Sequence, residues 1–201
     1  MSDALELETP HGPARVHLRR TERPRGALLL GHGAGGSVTA PDLAATAEAA
    51  LGQGFSVALV EQPYRVAGRR SPAPAKQLDA AWTAVAELLQ AGELRGLTLV
   101  AGGRSSGARV ACRTAAETGA AGVLCLAFPL EPPQGRPSRL PELDAVRVPT
   151  LVVQGVRDHF GMPPAAPGRT VVQVAADHSL RTDLDAVRAA VQSWLRGESL
   201  L

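Results

Sequence analysis

The stretch LTLVAGGRSSGARVACRTAAETG, residues 97–119, decides how the rest of the chain is read. It opens on an apolar run, LTLVAGG, of the length and composition of a buried strand. It closes on an alanine-rich run with helical character. Between them stands Gly103-Arg104-Ser105-Ser106-Gly107, a G-x-S-x-G match. A serine at the centre of such a pentapeptide sits on a sharp strand-to-helix turn, in a strained backbone conformation that exposes its hydroxyl. Side chains two residues before and after it would collide with the adjoining strand and helix, so both positions must be small. Ser106 is a poorer candidate, because its corresponding flanks are Arg104 and Ala108. Glycine makes up 21 of the 201 residues, so the pentapeptide alone is a weak signal. The strand behind it and the helix ahead of it are the context that makes Ser105 a candidate nucleophile.

Outward from this turn, strand and helix patterns alternate from about residue 14 to the end. ARVHLR alternates as a strand. ALLLG (27–31) is a continuous apolar run that suits a buried parallel strand. PDLAATAEAALGQG reads as a helix, with Pro41 in its first turn. FSVALVE (55–61) is the next strand, and the polar loop QPYRVAGRRSPAPA leads to a helix at about 76–91. AGVLCLAF (121–128), TLVVQG (150–155) and TVVQVA (170–175) are further strands, and the last helix covers about 183–196. There is no internal repeat and no linker, so one domain is expected over 1–201, with its core at about 10–196. The alternation implies an α/β fold: a mostly parallel sheet with helices on both faces. Residues 129–149, PLEPPQGRPSRLPELDAVRVP, break the rhythm with six prolines. About 20 residues cannot build a cap domain, so an open site is expected.

A serine on such an elbow needs a base and an acid, which follow it in chain order as Asp or Glu, then His. Asp158 follows strand TLVVQG in the turn GVRDHFG, 53 residues after Ser105; His178 follows strand TVVQVA in ADHSL, 20 residues later. Both stand at strand C-terminal ends, on the sheet edge that carries Ser105. In these roles His178 takes the serine proton and returns it to the leaving group, while Asp158 fixes the imidazole tautomer. Asp177 adjoins His178 too closely to reach its far ring nitrogen. His159 precedes the last strand, where the arrangement does not place the base.

Gly31-His32-Gly33-Ala34-Gly35-Gly36 follows strand ALLL. Beside an elbow, this loop supplies a backbone N–H, that of Ala34, to join the N–H of Ser106 around a developing oxyanion. Gly33 would line the substrate side, and His32 would orient the loop. The same residues also spell G-x-G-x-x-G, with Glu61 ending the next strand, which resembles a dinucleotide-binding fingerprint. In that fold the helix begins within the glycine turn; here SVTAP intervenes.

Composition narrows the classes. Formal charge is +2, from 21 basic and 19 acidic residues, and six residues are aromatic. Without a long basic run or aromatics to stack on bases, no nucleic-acid partner is expected. Cys112 and Cys125 form no framework and no metal-ligand spacing, so buried free thiols, no metal and no cofactor are expected. The N-terminus has no apolar signal-like run, and no apolar stretch approaches the ~20 residues of a membrane span. A cytoplasmic protein with no membrane partner is the expectation.

In order along the chain, LLLGHGAGG, EQPYRVAGRRSPAPA, GGRSSGARVA, AFPLEPPQG, VVQGVRDHFG and DHSL resemble the small dienelactone-hydrolase-like α/β-hydrolases. The resemblance is greatest to the capless branch related to the testis-expressed and NSL-complex-subunit hydrolase-like domains, and spans about residues 10–196. It implies an α/β-hydrolase fold without a cap, and a triad of Ser105, Asp158 and His178. Dienelactone hydrolases proper use a cysteine nucleophile, so lactone specificity does not carry over to Ser105. The expected function is a serine hydrolase acting on a small ester, thioester or related acyl compound. The alternatives are a hydrolase-like scaffold without chemistry, since some relatives are parts of larger complexes, and an NAD(P)-binding protein. Tyr64, Arg65, Arg69 and Arg70 follow strand FSVALVE at the ligand edge, where they could meet a carboxylate or phosphate of the substrate.

Overall fold

The computed structural model describes residues 3–133 and 135–197. Its centre is an eight-stranded sheet: β1 (Asp3–Leu7), β2 (Ala14–Arg19), β3 (Gly26–Gly31), β4 (Phe55–Glu61), β5 (Leu99–Arg104), β6 (Gly122–Leu126), β7 (Thr150–Gly155) and β8 (Arg169–Val174). The spatial order is β1-β2-β4-β3-β5-β6-β7-β8. Strands β3 to β8 are mutually parallel, and β1 and β2 join antiparallel at one edge. The parallel strands β3, β6 and β7 are buried at every position, which explains their unbroken apolar runs. The antiparallel β2 alternates buried and half-buried residues.

Strand β1 is an addition to the sequence reading, which began its elements at residue 14. Its acidic DALEL pairs with β2 in register Leu5–Val16. Such an edge strand needs only one apolar face, and two leucines are too few to reveal it.

Helices cover both faces. Helix α1 (Pro41–Gly52) and α6 (Leu184–Leu195) pack on one face against Leu28, Leu30, Val57 and Val153. Helix α3 (Ala75–Ala91) and α4 (Ser106–Thr114) pack on the other against Leu29, Ala101, Val123 and Val152. Trp82, fully buried on α3, is among the largest side chains of that second core. Two short helices lie in loops: α2 (Pro63–Val66), where a loop was expected, and α5 (Leu140–Asp144), in the proline-rich stretch after β6. The last helix is preceded by a 3-10 turn, Arg181–Asp183, and Asp183 accepts the Ala186 N–H at its start.

The chain leaves β3 toward the α1 face and leaves β5 toward the α4 face. The loops after these two adjacent strands therefore diverge, and a crevice opens at their C-terminal ends. Both the glycine loop and Ser105 emerge there. No helix among the described residues is long and apolar enough to cross a membrane. Cys112 and Cys125 are buried free thiols with their sulfurs 3.5 Å apart.

Candidate active site

Ser105 stands between β5 and α4 with φ 52° and ψ −108°. A serine held there stores of order 1–3 kcal/mol of backbone strain, and only an over-determined surrounding can keep it there. The surroundings are visible. Its N–H donates to Leu126 O at 2.9 Å, and the neighbouring backbones leave no room. A Cβ on Gly103 would lie 2.6 Å from Gly31 O, and one on Gly107 2.4 Å from the same oxygen. The two motif glycines are thus required by the close approach of β3, β5 and the start of α4. Ala127 and Leu180 are the other non-glycine residues with positive φ among those described, and both lie in loops beside this edge.

His178 lies in the turn after β8. Its Nε2 is 3.1 Å from Ser105 Oγ, and its Nδ1 is 2.8 Å from Asp158 Oδ2. A carboxylate only accepts, so Nδ1 carries the proton and Nε2 offers its lone pair to the serine hydroxyl. The Asp158 side chain is fully buried. Its Oδ1 accepts the Phe160 N–H at 2.9 Å, and its Oδ2 also accepts from Gln154 Nε2 at 2.9 Å. Gln154 Nε2 further faces Phe128 O and Gly161 O, so every neighbour of that nitrogen is an acceptor. The Phe160 ring stands edge-on to the imidazole with centroids 4.6 Å apart, and His159 flanks it at 5.6 Å.

The glycine loop is locked on the opposite side. Gly33 O accepts from Gly36 N–H at 3.0 Å and from His32 Nδ1 at 2.9 Å. Since the trans peptide sets N–H and C=O opposite, this double hold turns the Ala34 N–H away from both donors. His32 is buried, and its Nε2 accepts the Gln62 N–H at 3.1 Å, which leaves the proton on Nδ1. Burial holds its pKa below the ordinary histidine value of 6.5. Tyr64 braces the next peptide: its hydroxyl donates to Ala34 O at 2.6 Å, and burial pushes the phenol up to about 12. Gly33 lies against Ser105, since a Cβ there would fall 3.7 Å from Ser105 Cβ. Ser106 is the first residue of α4, where a backbone N–H has no partner within the helix.

The loop cations divide. Arg65 lines a cleft of about 340 Å³ together with Gly35, Ser37, Arg104, Ser179 and Arg181. Arg69 lines a separate cavity of about 110 Å³ beside His11 and Gln77. Tyr64 is buried, with its hydroxyl committed to the loop. The glycine loop does not open a helix: a turn and an Ser37–Thr39 hydroxyl contact separate Gly36 from Pro41, where α1 begins. A pyrophosphate on the glycines would therefore lack the helix N-terminus of a dinucleotide site. Among the described residues, no group of three or more His, Cys, Asp or Glu is placed to hold a metal ion.

Gln154, Phe160, Arg104 and Asp42 join the site although the sequence alone does not single them out. Gln154 had a signal, a polar residue in an otherwise apolar strand. Asp42 looked like an ordinary acidic residue in a first helical turn.

The family model described as alpha/beta hydrolase domain matches residues 24–186. Among solved structures, a lidless α/β serine hydrolase from Xanthomonas campestris is 24% identical, covering 98% of this chain and 96% of that one, with a TM-score of 0.78. Est1E from Butyrivibrio proteoclasticus is 14% identical over 96% and 97%, with a TM-score of 0.76. A dienelactone hydrolase from Anabaena variabilis is 18% identical over 96% of both chains, also with a TM-score of 0.76. Comparison with curated protein sequences finds no match. At these identities the structures share the fold.

Proposed function

The chain belongs to the alpha/beta hydrolase domain family, and from that premise we propose that it is a serine hydrolase of small esters, thioesters or related acyl compounds. The contact series Ser105–His178–Asp158 carries the reading. In it, Ser105 Oγ attacks the acyl carbon as its proton passes to His178 Nε2. Asp158 holds the imidazole in the productive tautomer and stabilises the imidazolium. The N–H groups of Ala34 and Ser106 receive the oxyanion. A donor of this kind is worth about 10²–10³ in rate. The imidazolium then protonates the leaving group, and water, activated by the same imidazole, releases the acyl group from Ser105.

The short α5 segment after β6 supports an uncapped site. The placement of Arg65 beside the cleft supports its role, rather than that of Arg69, in meeting an anionic group on the substrate. A scaffold role would give no reason to keep a strained serine against an imidazole. The test is a fluorophosphonate probe followed by a chain-length series of p-nitrophenyl esters. Labelling at Ser105 and ester turnover lost in Ser105→Ala are expected. Absence of labelling in the folded protein would overturn the proposal.

A further inference from the structure

We propose that Arg104 is a positioning residue that fixes the His178 backbone relative to Ser105, with Asp42 holding its guanidinium in place. The inference rests on the serine-hydrolase reading and adds two residues to it.

The elbow motif leaves the position before the nucleophile unconstrained, so nothing in the turn itself calls for a long cation. Yet Arg104 is largely enclosed, its side chain 18% exposed, and its guanidinium meets three separate segments. Its Nε forms an ion pair with Asp42 Oδ2 at 2.8 Å, on the first turn of α1. Its Nη2 donates to the backbone carbonyl of His178 at 2.9 Å. Its Nη1 lies 2.8 Å from where a Cβ on Gly33 would stand, so it fills the space beside the glycine loop. One planar group thus touches the base's backbone and the oxyanion loop, from the residue bonded to the nucleophile.

Asp42 is the counter-charge beside that plane, its carboxylate held in an ion pair and not in a hydrogen bond. It is fully buried, and burial pushes its carboxyl above the ordinary range while Arg104 pulls it back. A buried carboxylate is costly unless closely paired. The rigid fork lets different nitrogens serve Asp42 and His178 O at a fixed mutual angle, which an ammonium cannot do. The histidine turn needs an external hold. Leu180, two residues on, has φ 54°, and its N–H closes the turn on Asp177 O. The polar and charged groups around His178 are Asp158 at Nδ1, the His159 ring, Asp177 engaged with Ser179, and Arg104 with Asp42 behind it. Arg65 and Arg181 line the adjoining cleft.

The experiment uses the full chain as Asp42→Asn, Arg104→Met and Arg104→Lys. The rate of fluorophosphonate labelling at Ser105 is normalised to folded protein, and the His178 imidazole resonances are followed by NMR at fixed pH. Asp42→Asn and Arg104→Met should each label at least fivefold more slowly, with the probe concentration at half-saturation unchanged. Arg104→Lys should fail to restore the rate although it keeps the charge. Asp42→Asn, which leaves the guanidinium uncompensated, should shift the His178 imidazole resonances. If Arg104→Met does not fold, the other two variants decide. Wild-type labelling rates in the folded variants, or unmoved His178 resonances in Asp42→Asn, would overturn the proposal. No labelling of the unaltered chain would defeat the hydrolase reading instead, and the His178 resonances would still test the clamp.

Discussion

Ser105 Oγ and His178 Nε2 lie 3.1 Å apart, 73 residues distant in the chain. The strained serine is brought to the imidazole by two strand ends that the sheet order sets on one edge. Ester turnover should therefore fall by about 10⁴-fold or more in kcat in Ser105→Ala or His178→Ala, with little change in KM. The double variant should be no worse than either alone, because the two groups act as one unit. Steady-state kinetics on p-nitrophenyl acetate measure this. Losses that simply multiply would show that the two act separately.

The elbow also makes a stability prediction. A Cβ on Gly107 would sit 2.4 Å from Gly31 O and 2.5 Å from its carbonyl carbon, both backbone atoms that cannot move aside. Gly107→Ala should destabilise the fold by about 3 kcal/mol, the upper range for overpacking. Gly52→Ala, at a helix end where nothing lies within 4 Å, should leave stability the same or slightly higher. Urea unfolding of the two variants checks the contrast.

How far the sequence could be read follows from the range of each interaction. The alternation of apolar runs was enough for the parallel sheet, because strands buried on both faces carry their signature locally. Ser105, Asp158 and His178 could be singled out because each follows a recognisable strand, and the sheet edge does the rest. Arg104 and Asp42 could not, since their significance lies in a contact between segments 62 residues apart that neither local pattern announces. Tyr64 stands in sequence where it could face substrate, but its hydroxyl is spent on Ala34 O. A loop tyrosine looks the same in sequence whether it turns toward ligand or toward backbone. The short helix α2, which turns it inward, begins at a proline that sequence reading had placed in a loop.

Arg65 lines the cleft between the glycine loop and Ser179, and Arg69 lines another cavity. An ester bearing a carboxylate, such as a p-nitrophenyl hemisuccinate, should thus depend on Arg65 more than a neutral ester of equal length. Arg65→Ala should lower the ratio of their kcat/KM values by about threefold to fivefold, the worth of a partly solvated ion pair of up to ~1 kcal/mol. Arg69→Ala should leave the ratio unchanged. Equal effects of the two substitutions would assign the preference to net charge rather than to the cleft.

His32 links the glycine loop to β4 as a neutral imidazole, accepting the Gln62 N–H at Nε2 and donating from Nδ1 to Gly33 O. Protonation would set a second N–H against that of Gln62, and burial already holds the folded pKa below 6.5. Well above pH 6.5 the group is neutral in both folded and unfolded chains and adds no pH dependence. As pH falls below 6.5, the unfolded chain takes the proton first, so the native state loses stability until its own lower pKa is reached. The slope of this loss is at most about 1.4 kcal/mol per pH unit for one proton. Urea unfolding at pH 7.5 and 5.5 should show a smaller difference for His32→Asn than for the unaltered chain. The other four histidines contribute to both proteins and cancel in that comparison. An equal difference would mean that His32 titrates normally, and that the loop it holds is not locked by a neutral imidazole.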